Sequence, residues 1–397
     1  MRYVLESLDQ RPVATRRREF VECKGIGHPD TVCDALVEAI SVHLAQMYLE
    51  ELGFVAHYNI DKALLAAGQC AKGFLSGQLI QPMRLFVGDR ATFATERGEL
   101  PVREAVEAAA SMWLQHHLPK IRFGRELLLE PVLAPGSAPL SGIYQRVEEV
   151  VSNDTSGAVG FAPFTPTERL TRDAVDWLTS EEFKAEFPDT GQDIKVFAVR
   201  TDERVELTVA MPFHCEYIDS EATYFRRKEE VLNALHRKLA RADLEVDLQL
   251  NTLDRAGLGP DGLYLTLTGT SAEDADSGQV GRGNRPCGFI PFARPVGGEA
   301  APGKNPVAHV GKLYSVASQR LAERIHALHP ELPEVYVSLA TRIGEPIVAP
   351  WVSVQMVSAP GQSLGDFEPS IREVVAEELE QLPNYWRGLL RGEFRLY

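Results

Sequence analysis

A glycine-rich segment with five basic side chains is the part of the chain whose chemistry is clearest. Residues 276–312 contain eight glycines and five prolines, and this density of breakers interrupts regular helices and strands. The segment has only two acidic residues, Asp276 and Glu299, against five basic ones: Arg282, Arg285, Arg294, Lys304 and Lys312. Backbone N–H groups in glycine-rich turns, together with Arg and Lys side chains, bind phosphate groups well. The composition therefore predicts a polyphosphate site, and the alternative is an ordinary basic surface loop.

Part of this segment has the spacing of a phosphate-binding P-loop. Gly298, Gly303 and Lys304 fit the pattern G-x-x-x-x-G-K. Asn305 stands where a P-loop has the Ser or Thr that binds magnesium, and Pro306 follows at once. A P-loop NTPase is therefore the competing hypothesis, and it requires this segment to follow a strand and to open a helix.

Acidic residues at the start of a predicted helix could hold a metal ion. From Thr31 onwards apolar residues recur at three- and four-residue spacing up to Gly53, which predicts one amphipathic helix with Pro29 in its first turn. Its acidic residues recur at every fourth position and therefore share one side of the helix; they are Asp30, Asp34 and Glu38. This stripe is either a solvated face or, where His28 adjoins Asp30, a magnesium site at the positive end of the helix.

Polar residues in a predicted turn form a third candidate group. Residues 54–70 are predicted to form two strands joined by a turn that holds Asn59, Asp61 and Lys62. Asn and Asp favour turns in any protein, so these residues alone are weak support for a ligand site.

Two more segments carry candidate residues. Asn153 and Asp154 lie among turn formers ahead of the small-residue run AVGFAP. Residues 191–213 are predicted to form a hairpin in which Asp193 and Lys195 share one strand face, because side chains alternate with period two. The two residues form a buried pair, a set of ligand contacts or a salt bridge on an edge strand.

The composition limits the class of protein. The 397 residues are 44% apolar and 24% charged with a net charge of −15, which predicts a soluble globular protein of about two to three domains. No run of roughly 18 apolar residues and no apolar signal-peptide core occurs, so a cytoplasmic protein without membrane segments is expected. The five cysteines form no C-x-x-C pair, which argues against zinc and disulfides. The acidic balance argues against nucleic-acid binding.

Helical and strand patterns alternate along the chain, which predicts an α/β (α+β) fold with mixed sheets. Predicted helices occupy residues 102–119, 220–239, 313–327 and 369–381. Strand-rich stretches occupy residues 246–274 and 334–357, and a flexible loop is predicted at 134–142. We expect an N-terminal α/β region, a central α/β region and a C-terminal region with the glycine-rich segment, at residues 1–150, 151–268 and 269–397.

Six motifs in this order resemble the archaeal type of S-adenosylmethionine synthetase (methionine adenosyltransferase) over nearly the whole chain. They are VECKGIGHPDTVCD (21–34), HYNIDKALLAAG (57–68), NDTSGAVGFAP (153–163), GQDIKV (191–196), GTSAEDADSGQVGRGNR (269–285) and GKNPVAHVGK (303–312). Each motif is modest alone, whereas all six in this order are highly specific.

The resemblance implies an enzyme that joins L-methionine to ATP. In this family the sulfur attacks C5′ of ATP, the whole triphosphate leaves, and it is hydrolysed to pyrophosphate and phosphate before release. Magnesium, as two ions per site, and potassium assist. The implied fold has three similar α/β subdomains. The implied assembly is a homodimer, or a dimer of dimers, whose subunits pack sheet to sheet with the active sites between them.

The resemblance also implies roles for single residues. His28 would stabilise charge on the leaving oxygen, and Asp30 would bind magnesium. The implied catalytic residues are His28, Lys195, Arg282 and Lys304. Contacts with ATP or methionine are implied for Glu22, Asp61, Lys62, Asn153, Asp154, Asp193, Asp276, Arg285 and His309.

The chain departs from the family pattern beside these motifs. Cys23 stands where arginine is usual, Ile60 where threonine is usual, and Ala308 where a polar residue is usual. Because the charged residues are intact, the departures concern substrate breadth more than reaction type. A nucleotide-binding paralogue that acts on a methionine analogue, or that makes no product, is a further hypothesis.

Overall fold

Helices and strands alternate along the chain, which the computed structural model describes at residues 2–96, 98–136, 150–240, 244–358 and 363–397. The helices there are α1 (Pro29–Leu52), α2 (Val102–His117), α3 (Pro166–Leu178), α4 (Glu181–Glu186), α5 (Glu221–Leu239), α6 (Val310–Leu328), α7 (Leu364–Gln381) and α8 (Tyr385–Leu390). The strands there are β1 (Arg2–Ser7), β2 (Arg18–Lys24), β3 (Asn59–Ala66), β4 (Gln69–Gly73), β5 (Ser76–Gln81), β6 (Met83–Ala91), β7 (Ala94–Thr95), β8 (Gly98–Glu99), β9 (Leu127–Pro135), β10 (Ser156–Ala162), β11 (Lys195–Thr201), β12 (Arg204–Ala210), β13 (Phe213–His214), β14 (Glu245–Leu250), β15 (Leu265–Thr266), β16 (Gly278–Gln279), β17 (Ile290–Pro291), β18 (Glu334–Thr341) and β19 (Trp351–Val357).

Three larger sheets, each with its own hydrophobic core, carry the fold. The first has the order β16–β3–β6–β9 and packs against α1. The second, β14–β12–β11–β2–β17, packs against α3 and α5, and the third, β1–β19–β18–β10, packs against α6 and α7. Each sheet contains a parallel pair beside antiparallel ones. The predicted α/β fold with mixed sheets is confirmed.

The glycine-rich segment connects the three cores. Its strand β16 pairs with β3 in the first sheet, its strand β17 pairs with β2 in the second, and α6 follows against the third. The first strand of the chain, β1, pairs in parallel with β19 near the other end. The regions predicted at 1–150, 151–268 and 269–397 stay a prediction.

Local sequence explains where α1 begins and ends. His28 caps the helix, because its Nδ1 accepts the Asp30 N–H at 3.2 Å. Pro29 takes the first position, where a missing N–H costs nothing. Gly53 ends the helix with a φ of 82°, which glycine adopts without strain. By length and composition α1 could cross a membrane, but 67% of its apolar window is buried inside the protein, as in the core helix of a soluble protein.

The predicted turn of Asn59, Asp61 and Lys62 is wrong, because all three residues belong to β3. The register of β3 against β6 shifts between Asn59 and Lys62. A bulge in a strand and a turn share polar residues, and composition alone does not separate them.

Other boundaries differ less from the prediction. The stretch 246–274 forms β14 but only the two-residue β15. The last predicted helix, 369–381, begins earlier, at Leu364. The predicted loop 134–142 begins at the end of β9, and residues 137–142 lie outside the described residues.

Candidate active site

The start of α1 carries a compact cluster of charged side chains, here called the first cluster. Lys24, the last residue of β2, places Nζ 2.9 Å from Asp30 Oδ2 and 3.4 Å from Glu22 Oε1. Lys195, the first residue of β11, places Nζ 3.3 Å from the same Glu22 oxygen. His28 Nδ1 lies 3.9 Å from Asp30 Oδ2. The structure thus joins four predicted residues and adds Lys24, which sequence analysis missed although it lies in the motif VECKGIGHPD.

His28 is neutral and presents one donor. Burial, reinforced by the charge of Lys24, lowers the pKa of His28 to about 3. Because Nδ1 accepts the Asp30 N–H, the proton of the neutral ring lies on Nε2. Burial would raise the pKa of Asp30, but hydrogen bonds from Lys24 and the Gln279 N–H hold that pKa below its usual range. Asp30 is therefore a carboxylate at neutral pH.

The acidic stripe of α1 is not a solvated face, because it binds the glycine-rich segment. Asp34 accepts the N–H groups of Gly281 at 2.7 Å and Gly283 at 3.1 Å, and Glu38 accepts that of Gly303 at 2.9 Å. A Cβ at Gly283 would lie 2.2 Å from Asp34 Oδ2, so this close approach requires glycine. These N–H groups therefore donate to carboxylates of the protein and are not free for a phosphate ligand, as the sequence suggested.

A second cluster lies eight residues further along α1, which is roughly 12 Å by helical rise. Lys304 is 1% exposed; its Nζ contacts Asp61 and lies 2.9 Å from Glu299 Oε2. Lys312 Nζ donates to both oxygens of Glu38, at 2.8 Å and 2.6 Å. The two lysines of the motif GKNPVAHVGK therefore bind acids on β3 and α1, and this arrangement is not that of an ordinary surface loop.

The surroundings of Lys304 are not those of a P-loop. β17 ends at Pro291 and α6 begins at Val310. Residues 292–309, all of them described, contain neither a strand nor a helix. No strand leads into the G-x-x-x-x-G-K segment and no helix opens on it, so the structural requirement of the competing hypothesis is not met.

The NDTS segment meets the second cluster. The Asn153 N–H donates to Ala308 O at 3.2 Å, next to His309, which caps α6. Burial, reinforced by Lys304, lowers the pKa of His309 to about 3. Burial raises the pKa of Asp154 above its usual range. The structure thus places these three predicted residues around one lysine.

Lys62 faces the outside of the first sheet and contacts the buried Asp61. Asp61 Oδ1 accepts from Asn59 at 2.8 Å and from Lys62, whose side chain is 64% exposed. A shallow cavity of about 340 Å³ on this face is bordered by Asp61, Lys62, Leu64 and Val132. A ligand can therefore reach Lys62 from outside the subunit.

Asp193 and Lys195 bind different partners and form no salt bridge with each other, which corrects the predicted pair. Asp193 precedes β11 and is buried; its Oδ2 accepts the Ser271 N–H at 2.7 Å and the Ser271 hydroxyl at 2.5 Å. Burial raises the pKa of Asp193 to about 6. β11 lies between β12 and β2, so the edge-strand salt bridge is wrong as well.

Three further predicted residues lie along the glycine-rich segment. Arg282 and Asp276 are exposed. The Arg282 carbonyl accepts a hydrogen bond from Lys24 Nζ at 2.7 Å. Arg285 Nη2 donates to Gly281 O and, at 3.2 Å, to Gly283 O. Arg285 therefore stabilises the segment itself, whereas Arg282 extends towards solvent.

The three departures from the family pattern are buried. Cys23 alternates with Glu22 along β2, and its thiol donates to Gly288 O at 3.2 Å in the core of the second sheet. Ile60 and Ala308 are 0% and 1% exposed.

Comparisons with known proteins match this chain over nearly its whole length. A family model described as S-adenosylmethionine synthetase (AdoMet synthetase) matches residues 2–393. The S-adenosylmethionine synthase of Pyrobaculum neutrophilum is 38% identical over 99% of this chain and 100% of its own length. The probable S-adenosylmethionine synthase of Aquifex aeolicus is 36% identical over 98% of each chain.

A solved structure supports the fold. An unusual S-adenosylmethionine synthetase from Campylobacter jejuni aligns with a TM-score of 0.58 over 94% of this chain and 93% of that chain, at 15% identity. This likeness shows a shared fold, and the match to the family model and the curated relatives confirms the resemblance found in the sequence motifs. The chain belongs to the S-adenosylmethionine synthetase family.

Proposed function

We propose that the protein is a methionine adenosyltransferase, which transfers the adenosyl group of ATP to the sulfur of L-methionine. The sulfur attacks C5′, the triphosphate leaves, and the tripolyphosphate is hydrolysed to pyrophosphate and phosphate before release. Membership of the family supports this reaction. The observation that carries the proposal is the pair of lysine-containing clusters along α1, since a leaving triphosphate needs several positive groups where its charge develops.

His28 would act on the leaving oxygen. Its neutral ring offers the Nε2–H, and a donor aimed at the developing charge stabilises the transition state more than the ground state. The thioether sulfur of methionine carries no proton, so the transfer step needs no general base. The depressed pKa of His28 therefore fits a hydrogen-bond donor and not a proton acceptor.

The cations would hold the triphosphate. The Lys195 side chain is 41% exposed although it touches Glu22, and Arg282 is exposed on the glycine-rich segment. Lys304 would neutralise charge from the second cluster. We propose contacts with ATP or methionine for Glu22, Asp61, Lys62, Asn153, Asp154, Asp276 and His309. Asp193 and Arg285 would position these groups, since their side chains bind the protein itself.

Magnesium and potassium are the cofactors that we propose. The residues present fit magnesium, because Glu22 and Asp30 direct carboxylate oxygens towards one point, where Lys24 Nζ lies 3.4 Å and 2.9 Å from them, and carboxylate oxygens are the ligands that Mg²⁺ prefers. Magnesium, when bound, would neutralise oxygens of the triphosphate. We assign Asp30 as its ligand and assign no residue to potassium.

We further propose a homodimer, or a dimer of dimers, in which sheet faces pack together. The outer face of the first sheet exposes Leu64 and Val132, at 44% and 63%, and that of the second exposes Phe20 and Phe292, at 39% and 57%. Apolar sheet faces of this kind are usually covered. Light scattering of the active enzyme at micromolar concentration should give a dimer mass or a multiple, and a monomer mass would contradict the assembly.

One assay tests the reaction. Purified protein is incubated with ATP, L-methionine, magnesium and potassium, and the products are separated by mass. We expect S-adenosylmethionine, pyrophosphate and phosphate. ADP as the main product would favour an NTPase, and a methionine analogue as the better acceptor would change the substrate. We place this activity in the cytoplasm, with no membrane or nucleic-acid partner.

A further inference from the structure

The side-chain amide of Asn284 pairs with the main chain of Lys24. Asn284 Oδ1 accepts the Lys24 N–H at 2.9 Å, and Asn284 Nδ2 donates to Lys24 O at 2.8 Å. Because an amide carries both an acceptor and a donor, this side chain imitates the peptide group of a neighbouring strand. One residue of the glycine-rich segment therefore fixes the main chain where β2 ends.

This pairing completes the edge of the second sheet beside Lys24. On one side Lys24 pairs with Lys195 of β11. On the other side β17 pairs only with Glu22 and Val21, and none of the described strands continues as far as Lys24. The Asn284 amide takes the place of a strand residue there, so both main-chain groups of Lys24 are satisfied.

The ammonium of Lys24 is bound by the same part of the chain. The carbonyl of Arg282, two residues before Asn284, accepts from Lys24 Nζ at 2.7 Å. The ammonium also lies 2.9 Å from Asp30 Oδ2 and 3.4 Å from Glu22 Oε1. The glycine-rich segment therefore binds Lys24 at its main chain and at its charge.

The position of Lys24 in turn affects the carboxylate of Asp30. Asp30 Oδ1 accepts the Gln279 N–H at 2.9 Å, and Oδ2 accepts from Lys24 Nζ. A lysine carries its charge on a flexible four-carbon stem, so the ammonium stays in one place only if the main chain does too. Without the Asn284 amide the end of β2 would be freer, and the ammonium could move away from Asp30 and Glu22.

The surroundings of Asn284 make its side chain suitable for substitution. It is half-buried and borders a cavity of about 860 Å³ that is lined by α1, α2 and α3. Met112 in the wall of this cavity is 53% exposed, so the cavity is open to solvent. Truncation of Asn284 therefore leaves no sealed void, which is the costly result of large-to-small changes in a core.

We propose that Asn284 is a positioning residue for the adenosyl-transfer step, which acts by holding Lys24 against Glu22 and Asp30; the assignment rests on the proposed function. Glu22 and Asp30 are the acids of the first cluster to which that function gives ligand contacts. Their placement sets the geometry of the reacting groups, where a shift of about 1 Å can cost roughly a hundredfold in rate. Asn284 contributes to the rate only through Lys24.

Asn284→Ala removes both hydrogen bonds and tests this role in the full-length protein. We expect single-turnover formation of S-adenosylmethionine, at saturating ATP and methionine, to fall roughly ten- to a hundredfold per folded molecule, the scale for a group that orients a ligand. The Kd for ATP, measured by calorimetry, should change far less than the rate. Asn233→Ala, on the exposed side of α5, is the matched control and should change neither.

A double-mutant cycle with Lys24→Met tests how Asn284 acts. Lys24→Met removes the ammonium but keeps the main chain that Asn284 binds, and it should also lower the rate. Adding Asn284→Ala to Lys24→Met should then lower the rate by no more than about twofold, because residues that act through one another are not additive. An effect of Asn284 that is independent of Lys24 would multiply the two losses.

Asn284→Asp is a second variant that keeps the shape of the side chain, in case Asn284→Ala does not fold. Its carboxylate still accepts the Lys24 N–H but has no donor for Lys24 O, so the rate should fall here as well.

Three results would overturn the role of Asn284 while the wild type is active. These are an unchanged rate per folded molecule in both Asn284 variants, losses that multiply in the double variant, and a wild-type rate in Lys24→Met. Wild-type protein that forms no S-adenosylmethionine would refute the proposed function and this role together.

Discussion

Two regions of buried charge differ in how completely their side chains are enclosed. Where the second and third sheets meet, Arg294 donates to both oxygens of Glu168, at 2.9 Å and 3.1 Å, and lies 3.1 Å from Glu334. The side chains of Arg294 and Glu168 are each 1% exposed. Lys304 is buried to a similar degree at 2%, yet its partner Glu299 is 38% exposed.

The difference separates structural charge from charge that can meet a ligand. In the Arg294 network each charged side chain is paired with another group of the protein, so removing one partner leaves an unpaired buried charge. The clusters on α1 end in side chains that reach solvent, such as Lys195 and Lys62. Burial of a charged side chain alone therefore does not identify a ligand site. A buried ion pair does so when one of its partners is exposed to solvent.

Arg294→Met should have the largest effect, which is a loss of stability. The substitution leaves Glu168 and Glu334 buried without their cation, which costs about 3–5 kcal/mol in the free energy of unfolding. Urea unfolding followed by circular dichroism measures it. The matched control is Arg204→Met, which removes an exposed pair with Asp247 and should cost far less, because exposed salt bridges stabilise little.

The rate of S-adenosylmethionine formation per folded molecule tests whether Arg294 is purely structural. At a temperature where Arg294→Met stays folded, S-adenosylmethionine formation should be close to that of the wild type, because this guanidinium reaches no ligand. A large loss of rate without a loss of stability would show that the closed network belongs to the site.

Lys304→Ala should have the next largest effect, which is a loss of reaction rate. Loss of one preorganised charge contact should lower both S-adenosylmethionine formation and tripolyphosphate hydrolysis by roughly two to three orders of magnitude. Lys304→Arg keeps the charge but changes the donor geometry, so it should be impaired less. The measurement is single-turnover formation of S-adenosylmethionine alongside hydrolysis of added tripolyphosphate.

The opposite outcome is equally clear for Lys304. If Lys304→Ala kept more than about half of both rates, well short of the usual loss, the lysine would be structural like Arg294. A loss confined to tripolyphosphate hydrolysis would restrict its role to the second step.

Sequence patterns predicted the elements better than their partners. The apolar periodicity after Thr31 predicted a helix ending near Gly53, and α1 spans Pro29–Leu52. Periodicity is a local property of the chain, so one helix face can be inferred from its own residues. The glycine-rich segment 276–312 was predicted to lack regular helices and strands; it contains only the two-residue strands β16 and β17 before α6 begins at Val310.

Long-range pairing explains what the sequence could not show. Glu38 binds Lys312, 274 positions away, so the acidic stripe could not be distinguished from a solvated face. Arg294 and Lys304 are both basic residues of one segment, and composition placed both in a phosphate site. Only the fold shows that Arg294 is enclosed by Glu168 and Glu334.

Asp30→Asn should lower the reaction rate less than Lys304→Ala does, and the loss should depend on the magnesium concentration. Because His28 and not Asp30 caps α1, the change mainly removes the charge that Lys24 and the proposed metal share. We expect a loss of about 1–3 kcal/mol in stability and apparent magnesium affinity roughly ten- to a hundredfold weaker. Rates measured across a magnesium titration test this, and an unchanged midpoint would move the metal site elsewhere.

On stability, His28→Gln should show the smallest effect of these variants, visible only in acid. The pKa of His28 is about 3 in the folded protein against about 6.5 unfolded. Between these values the unfolded chain binds a proton that the folded chain does not, so acidification lowers the free energy of unfolding of the wild type. The variant lacks this contribution, and its stability should therefore fall less steeply from pH 6.5 towards pH 3.

Other groups titrate in the same range, so the difference between variant and wild type is the quantity to measure. Urea unfolding of both proteins at several pH values gives it, and His236→Gln at the exposed end of α5 checks that the result does not come from removing any imidazole. Burial raises the pKa of Asp34 to about 7, which gives the opposite slope in both proteins and cancels in the difference. An equal slope in variant and wild type would mean that folding does not lower the pKa of His28.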